Sequence, residues 1–275
     1  MPLRLKFDAK PIVSSREIKK NVRNSRRYLE VHWRVACYPP CIVAGGGPSL
    51  ANNLDNLKRF EGDIFAINDT AGYLSDNGIS SYLFSIDPTD VLFKIGPLVK
   101  GAIFASRVHR EQFKQFHRAD VRKFNLNEDS PKGGTEGGPT SVCRAPHLLL
   151  RIGYTGVLFI GCEGSFYDKS HATGLSEAAS MNLMVVDAGG IQYLTNAAFI
   201  IQCEYLAKII TKHPHLFMNL SGGLLDAMLK YPDTWEVVAV GEDLKAQYEA
   251  AGAKNVWTKD YDIREHKMWV PRYGN

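Results

Sequence analysis

Short apolar runs rich in β-branched and aromatic side chains recur along the chain, at residues 41–44, 64–67, 82–86, 102–105, 121–125 and 157–160. Gly, Asp, Asn or Pro bounds most of them, the pattern of buried strands. Between them, at 49–60, 70–77, 91–100, 107–116 and 139–152, longer segments carry apolar residues at helical spacing. Alternation of this kind predicts βαβ units, hence an α/β, Rossmann-like fold with a mainly parallel sheet flanked by helices. A strand at 184–187, a long helix at 191–212 and a short strand at 216–219 follow. The tail reads as strand 236–240, helix 242–251 and strand 255–257, a C-terminal strand–helix–strand piece added to a sheet edge.

The first segment differs in character. From Ser14 to Arg34 the pattern predicts a basic helix, with Ser14 or Ser15 as N-cap and Ile18, Val22, Leu29 and Trp33 on its docking face. Pro39 and Pro40 punctuate its end. Three parts are expected: a basic N-terminal helical extension (1–39), a Rossmann-type domain (40–226) and a C-terminal αβ extension packed on the same domain (227–275).

Charge sharpens this division. Residues 1–36 hold ten Lys/Arg against three Asp/Glu, while the rest holds 23 against 26. The excess suits a solvated helix face, or attraction of an anionic partner. Hydrophobic residues make up 45% and charged residues 23%, ordinary values for a globular protein. No stretch approaches the roughly 20 apolar residues of a membrane span, and the N-terminus lacks a signal-type apolar core. A cytoplasmic location is expected. The five cysteines, odd in number and scattered, predict buried free thiols and neither disulfides nor zinc.

The chemistry gathers at strand ends. "CIVAGGGPSL" (Cys41–Leu50) runs from a strand through Gly45, Gly46, Gly47, Pro48 and Ser49 into a helix. Ligands of open parallel sheets bind beyond the carboxyl ends of the strands, where backbone N–H groups and a helix N-terminus meet phosphate. The stretch is neither G-x-G-x-x-G nor a P-loop, so it reads either as a nucleotide-phosphate turn or as a tight structural turn. Other polar residues follow other strands: Asn68 and Asp69; Asp87; then Glu163, Tyr167, Asp168 and His171. "KGGTEGGPTS" (Lys132–Ser141) adds a second glycine-rich loop, with Gly138 and Ser141 before a helix.

These motifs in this order, "IVAGGGPSL", "AIND", "IDP", "GGPTSV" and "LFIGCEGSFYDKSHATG", resemble the MptE-like family, which includes archaeal 6-hydroxymethylpterin diphosphokinases and flagellin-modifying Maf glycosyltransferases. "VVDAGGIQYLTNAAF" (with Gly190 and Thr195), Glu204 and "FMNLSGGLL" (with Asn219, Gly222 and Gly223) extend the likeness over residues 40–226. The first half is also similar to small bacterial CMP-sialic-acid transferases, though Glu163 stands where those have Asp and Tyr167 lies later than their tyrosine.

The resemblance implies a nucleotide-dependent transferase. The favoured reading is a glycosyltransferase using a CMP-, UDP- or GDP-linked sugar. In it Gly45–Ser49 hold the phosphates, Asn68, Asp87, Gly138 and Ser141 contact the donor, Tyr167 donates to the leaving phosphate, and His171 is the general base beside Glu163. This scheme needs no metal. The alternative is a diphosphokinase moving pyrophosphate from ATP to a hydroxymethyl, pterin-like compound, with Mg²⁺ on Asp69, Asp87 and Glu163. A non-catalytic nucleotide-binding protein is the third reading. The basic extension favours a macromolecular acceptor, whether glycan, protein or modified DNA, and a homo-oligomer fits as well.

Overall fold

The run Cys41–Ala44 is buried at every position, as is Ile64–Ile67. Strands covered on both faces are the mark of a parallel sheet with helices above and below. The computed structural model, which describes residues 13–31, 37–130, 133–166 and 183–240, has this architecture.

In chain order the elements are α1 (Ser15–Ser25), β1 (Leu29–Glu30), β2 (Cys41–Ala44), α2 (Ser49–Asn52), α3 (Leu54–Lys58), β3 (Ile64–Ile67), α4 (Thr70–Asp76) and β4 (Ser81–Ser85). They continue with β5 (Val99–Ala105), α5 (Arg110–Lys114), β6 (Val121–Phe124), α6 (Ser141–Ile152) and β7 (Val157–Ile160). Last come β8 (Leu183–Ala188), β9 (Ile191–Asn196), α7 (Ala197–Lys212), β10 (Phe217–Asn219), α8 (Gly223–Lys230) and β11 (Trp235–Val240).

Eight strands form the main sheet in the order β1-β6-β5-β4-β3-β2-β7-β10, and every neighbouring pair is parallel. From β2 the chain builds outward through β3, β4, β5 and β6, then returns to lay β7 on the other side of β2. The order reverses there, which is where an open α/β sheet splits to admit a ligand. Helix α4 packs on β3, β4 and β5, and α6 packs on β2, β4 and β7. Phe84, Phe104, Phe124 and Phe159 are the largest strand side chains shut away from solvent.

Local chemistry sets the helix ends. Ser14 caps α1 by accepting from the Glu17 N–H at 3.3 Å, as expected. Thr140 caps α6 through Cys143, and Gly153 closes it in a left-handed conformation (φ 120°). Asn196 caps α7 by accepting from Phe199 N–H at 2.9 Å.

Several expectations need correction. The N-terminal helix stops at Ser25, and Leu29–Glu30 adds a parallel edge strand to β6. Tyr28 and Val31, both buried, hold this junction, so the extension is built into the main sheet. The expected helix at 49–60 breaks at Asn53, and the one at 107–116 shrinks to Arg110–Lys114. Residues 91–96 form no helix, and β5 starts at Val99. The long helix expected at 191–212 divides into β9 and α7. Gly189 (φ 65°) and Gly190 (φ 76°) make a two-residue turn that pairs Ala188 with Ile191. Positive φ at both positions is the hairpin geometry. The strand near 236–240 is β11, which joins β8 antiparallel in a separate three-stranded sheet rather than extending the main sheet. The expected boundary at 226 falls inside α8. The rest of the tail expectation, at 242–251 and 255–257, lies outside the described residues. Of the five cysteines Cys37 is exposed and the other four are buried, all as free thiols. Among the described residues no helix is long and apolar enough to cross a membrane.

Candidate functional site

A cleft of about 470 Å³ opens at the carboxyl ends of β2, β3, β4 and β7, a size in the ordinary range for small-ligand sites. Its lining brings together Gly45, Gly46, Gly47, Asn68, Asp69, Asp87 and Ser141 from the sequence-derived set. Pro48, Ser49, Gly138 and Glu163 lie behind it. Tyr167, Asp168 and His171 lie outside the described residues.

The glycine turn owes its composition to crowding. A Cβ on Gly45 would collide with the carbonyl of Gly161, and one on Gly161 would collide with the carbonyl of Gly45. The turns after β2 and β7 therefore cross backbone to backbone, tied by Gly45 N–H to Ile160 O and Gly47 N–H to Gly161 O, both 2.8 Å. A Cβ on Gly47 would strike the carboxylate of Glu163.

Glu163 is fully buried. Its carboxylate accepts from the Ser49 amide at 2.5 Å and from the Ser49 hydroxyl at 3.1 Å, and that hydroxyl accepts from Gly161 N–H at 3.2 Å. Burial pushes the carboxyl up to about 7, against the hydrogen bonds that favour its charged form. Glu163 thus fills the amino end of α2 from inside the protein. This corrects the expectation that it faces the reaction centre.

The same bonds correct the picture of a phosphate cradle. The amides of Gly45, Gly47, Ser49 and Leu50 all have protein partners, and Pro48 has no N–H. Within the turn, Gly46 alone carries an amide without a hydrogen bond among the described residues.

A second wall of the cleft has positive polarity. Helix α6 points its amino end at the cleft, with Pro139, Thr140, Ser141 and Val142 in the lining. The first amides of a helix have no intrahelical acceptor, and the twelve residues of α6 align a dipole behind them. The Ser141 hydroxyl accepts from Ile86 N–H at 3.1 Å, so it pins the end of β4. Thr140 donates to Gln202 of α7 at 2.9 Å. Gly138 lies one step back, at the contact of its loop with Cys143 and Tyr205.

Arg107 completes this wall and was missed in the sequence. Its guanidinium forks onto Asp129, with Nε–Oδ2 at 3.1 Å and Nη2–Oδ1 at 2.9 Å. It follows β5 as Asp87 follows β4, so the strand-end rule that found the acids would also have found it. The helix expected at 107–116 hid it.

Asn68, at the end of β3, sits in the left-handed region (φ 52°), an uncommon conformation for a residue with a side chain. Its Oδ1 is buried without a partner among the described residues. Asp69 Oδ1 accepts from Lys94 N–H at 3.1 Å and Asp87 Oδ1 from Thr89 N–H at 2.9 Å. Each carboxylate keeps its Oδ2 without a hydrogen bond among the described residues. Asp69, Asp87 and Glu163 do not converge, because Glu163 is held on Ser49. Among the described residues no three acidic, His or Cys side chains form a metal-binding group. The three-carboxylate magnesium set therefore does not fit, while two carboxylates in the cleft match the number Mg²⁺ takes beside nucleotide phosphates.

A family model described as 6-hydroxymethylpterin diphosphokinase MptE-like matches residues 15–169. The match takes in α1 and β1, which the motif likeness left out, and ends just past the Glu163 turn. No curated protein and no solved structure matches the chain. The likeness to CMP-sialic-acid transferases rests on the sequence motifs alone.

Proposed function

The chain belongs to the MptE-like family, and on that premise we propose that the cleft binds a nucleoside triphosphate and serves transfer of its terminal diphosphoryl group to an acceptor hydroxyl. The single observation behind this reading is the polarity of the cleft. Asp69 and Asp87 stand at the ends of β3 and β4, in one lining with Arg107 and the amino end of α6.

In this reading the phosphates lie against Arg107, the Ser141 and Val142 amides and the Gly46 N–H, where donors are fixed before substrate arrives. Asn68 offers its unpartnered carbonyl to an amine or hydroxyl of the nucleoside. Asp69 and Asp87 would hold Mg²⁺, which offsets phosphate charge when bound. The acceptor oxygen bonds to the β-phosphorus as the bond from that phosphorus to the α–β bridging oxygen breaks. Nucleoside monophosphate leaves, and the hydroxyl proton passes to water. Glu163 positions the turn and stays out of the reaction.

Glycosyl transfer from a nucleotide sugar is the second reading. One observation favours it: the basic helix α1 is hydrogen-bonded to the rim of the cleft, Asn21 Nδ2 to Pro88 O at 3.3 Å, which suits an acceptor larger than a pterin.

Thermal unfolding with ATP, GTP and CMP-, UDP- or GDP-sugars, each with and without Mg²⁺, separates the two. A ligand that binds only the folded chain adds about 2.7 kcal/mol at 100 times its Kd. The expected result is a rise in Tm with a triphosphate plus Mg²⁺ that EDTA reverses. Stabilisation by a nucleotide sugar that survives EDTA, with ATP silent, decides for glycosyl transfer.

A further inference from the structure

Beside the cleft runs a second concavity of about 780 Å³, between α1 and the loop after β6. One rim carries Arg16, Lys19, Lys20, Arg23 and Arg26; the other carries Glu128 and Asp129. Arg107 lines both this trough and the cleft.

The charges on α1 are not spent on neighbours. Lys20 pairs with Glu17 at 3.1 Å, while Arg16, Lys19, Arg23 and Arg26 have no ion pair among the described residues. Asn21 and Ser25, on the opposite face, are buried and dock the helix. Its basic side is thereby held outward along the trough. Arg16, Lys19, Arg23 and Arg26 follow one another at rises of about 4.5–6 Å along the helix axis. The acids on the far rim are already engaged, Glu128 by Arg144 and Asp129 by Arg107, yet the Glu128 side chain is half exposed.

We propose that this trough binds a single strand of nucleic acid, its phosphates along α1 and its sugar or base donors toward Glu128. Arginine forks match phosphate oxygens two at a time. A row of cations across from the half-exposed Glu128 carboxylate fits a chain that carries phosphates on one side and N–H or O–H donors on the other. Among the described residues no aromatic side chain lines the trough to stack a base. A strand in this position passes Arg107, which also lines the cleft. The inference goes beyond the transfer reading and does not depend on it.

Fluorescence polarisation of the full chain with a labelled single-stranded DNA of mixed sequence tests it. Neutralising about four phosphates predicts a log–log salt slope near −3, since each contributes about 0.7 on single strands. The combined variant Arg16→Gln, Lys19→Gln, Arg23→Gln is expected to bind at least tenfold more weakly with a slope nearer −1. Lys208→Gln with Lys212→Gln on α7 is expected to bind like the wild type. Should the triple variant not fold, photo-cross-linking of the wild-type chain to a bromouracil-bearing strand is expected to mark peptides from 15–31 and Arg107. Absence of binding at low salt, an undiminished triple variant, cross-links elsewhere, or heparin or duplex DNA binding as tightly as the single strand each overturns the proposal. The nucleotide-induced Tm shift is read separately, so failure here leaves the cleft reading standing or falling on its own data.

Discussion

The carboxyl group at position 163 is buried, and its contribution to stability depends on pH. The folded chain holds Glu163 at about 7, above the 4.5 of an ordinary glutamate. Between those values the folded state binds more protons than the unfolded one, so stability falls as pH rises. The favourable contribution is complete below about 4.5 and gone above about 7, a swing of roughly 3 kcal/mol. Glu163→Gln keeps an acceptor for the Ser49 amide and cannot ionise. Its Tm is expected to gain on the wild type steadily from pH 5 to pH 7.5; parallel curves for the two proteins would defeat this account. Glutamate at the end of the 157–160 run was legible as a strand-end acid. Its direction was not, because Ser49 lies 114 positions away and only the packed sheet brings the two together. Asn68, Asp69, Asp87 and Ser141 were legible because their strand or helix ends themselves deliver them to the cleft.

Among elements, the crossing of the β2 and β7 turns is the tightest constraint. Gly45→Ala is expected to cost about 3 kcal/mol, at the upper end for overpacking, because its Cβ meets the backbone oxygen of Gly161, which cannot swing aside. Urea unfolding measures this, and a loss under 0.5 kcal/mol would show that the turns separate easily. The question raised by three glycines at a strand end has a divided answer: Gly45 and Gly47 admit protein neighbours, and Gly46 faces the cleft. The strands from 41 to 160 were readable because each is a short β-branched run between turn residues. The segment from 191 was not, since its alternation merges with the helical spacing of α7. The Gly189-Gly190 pair was the available signal, a two-residue turn that permits positive φ at both positions. Residues 91–96 misled for a different reason: Phe93 is buried and its neighbours Val91 and Leu92 are exposed, so apolar character there reflects packing around Phe93 and not a helix face.

For the molecule as a whole, the basic segment is a working part of the sheet. Lys123 of β6 is nearly buried and pairs with Glu30 at 2.5 Å. Tyr28 rests on Phe113 with ring centroids 4.5 Å apart. Removing residues 1–37 strips this edge and the burial of Tyr28 and Val31, each worth about 1.5–3 kcal/mol. The shortened chain is expected to melt many degrees lower; an unchanged melting curve would make the segment an appendage. Its position in the sheet was not legible, because a two-residue strand leaves no periodicity to read. The reversal of strand order has a consequence for biosynthesis. A chain still leaving the ribosome can lay down β2 to β6 early, yet one wall of its ligand site is not translated until β7 and the Glu163 turn emerge. Nascent chains short of that point carry an open strand edge at β2 and an unfinished cleft, so premature termination there yields an adhesive product.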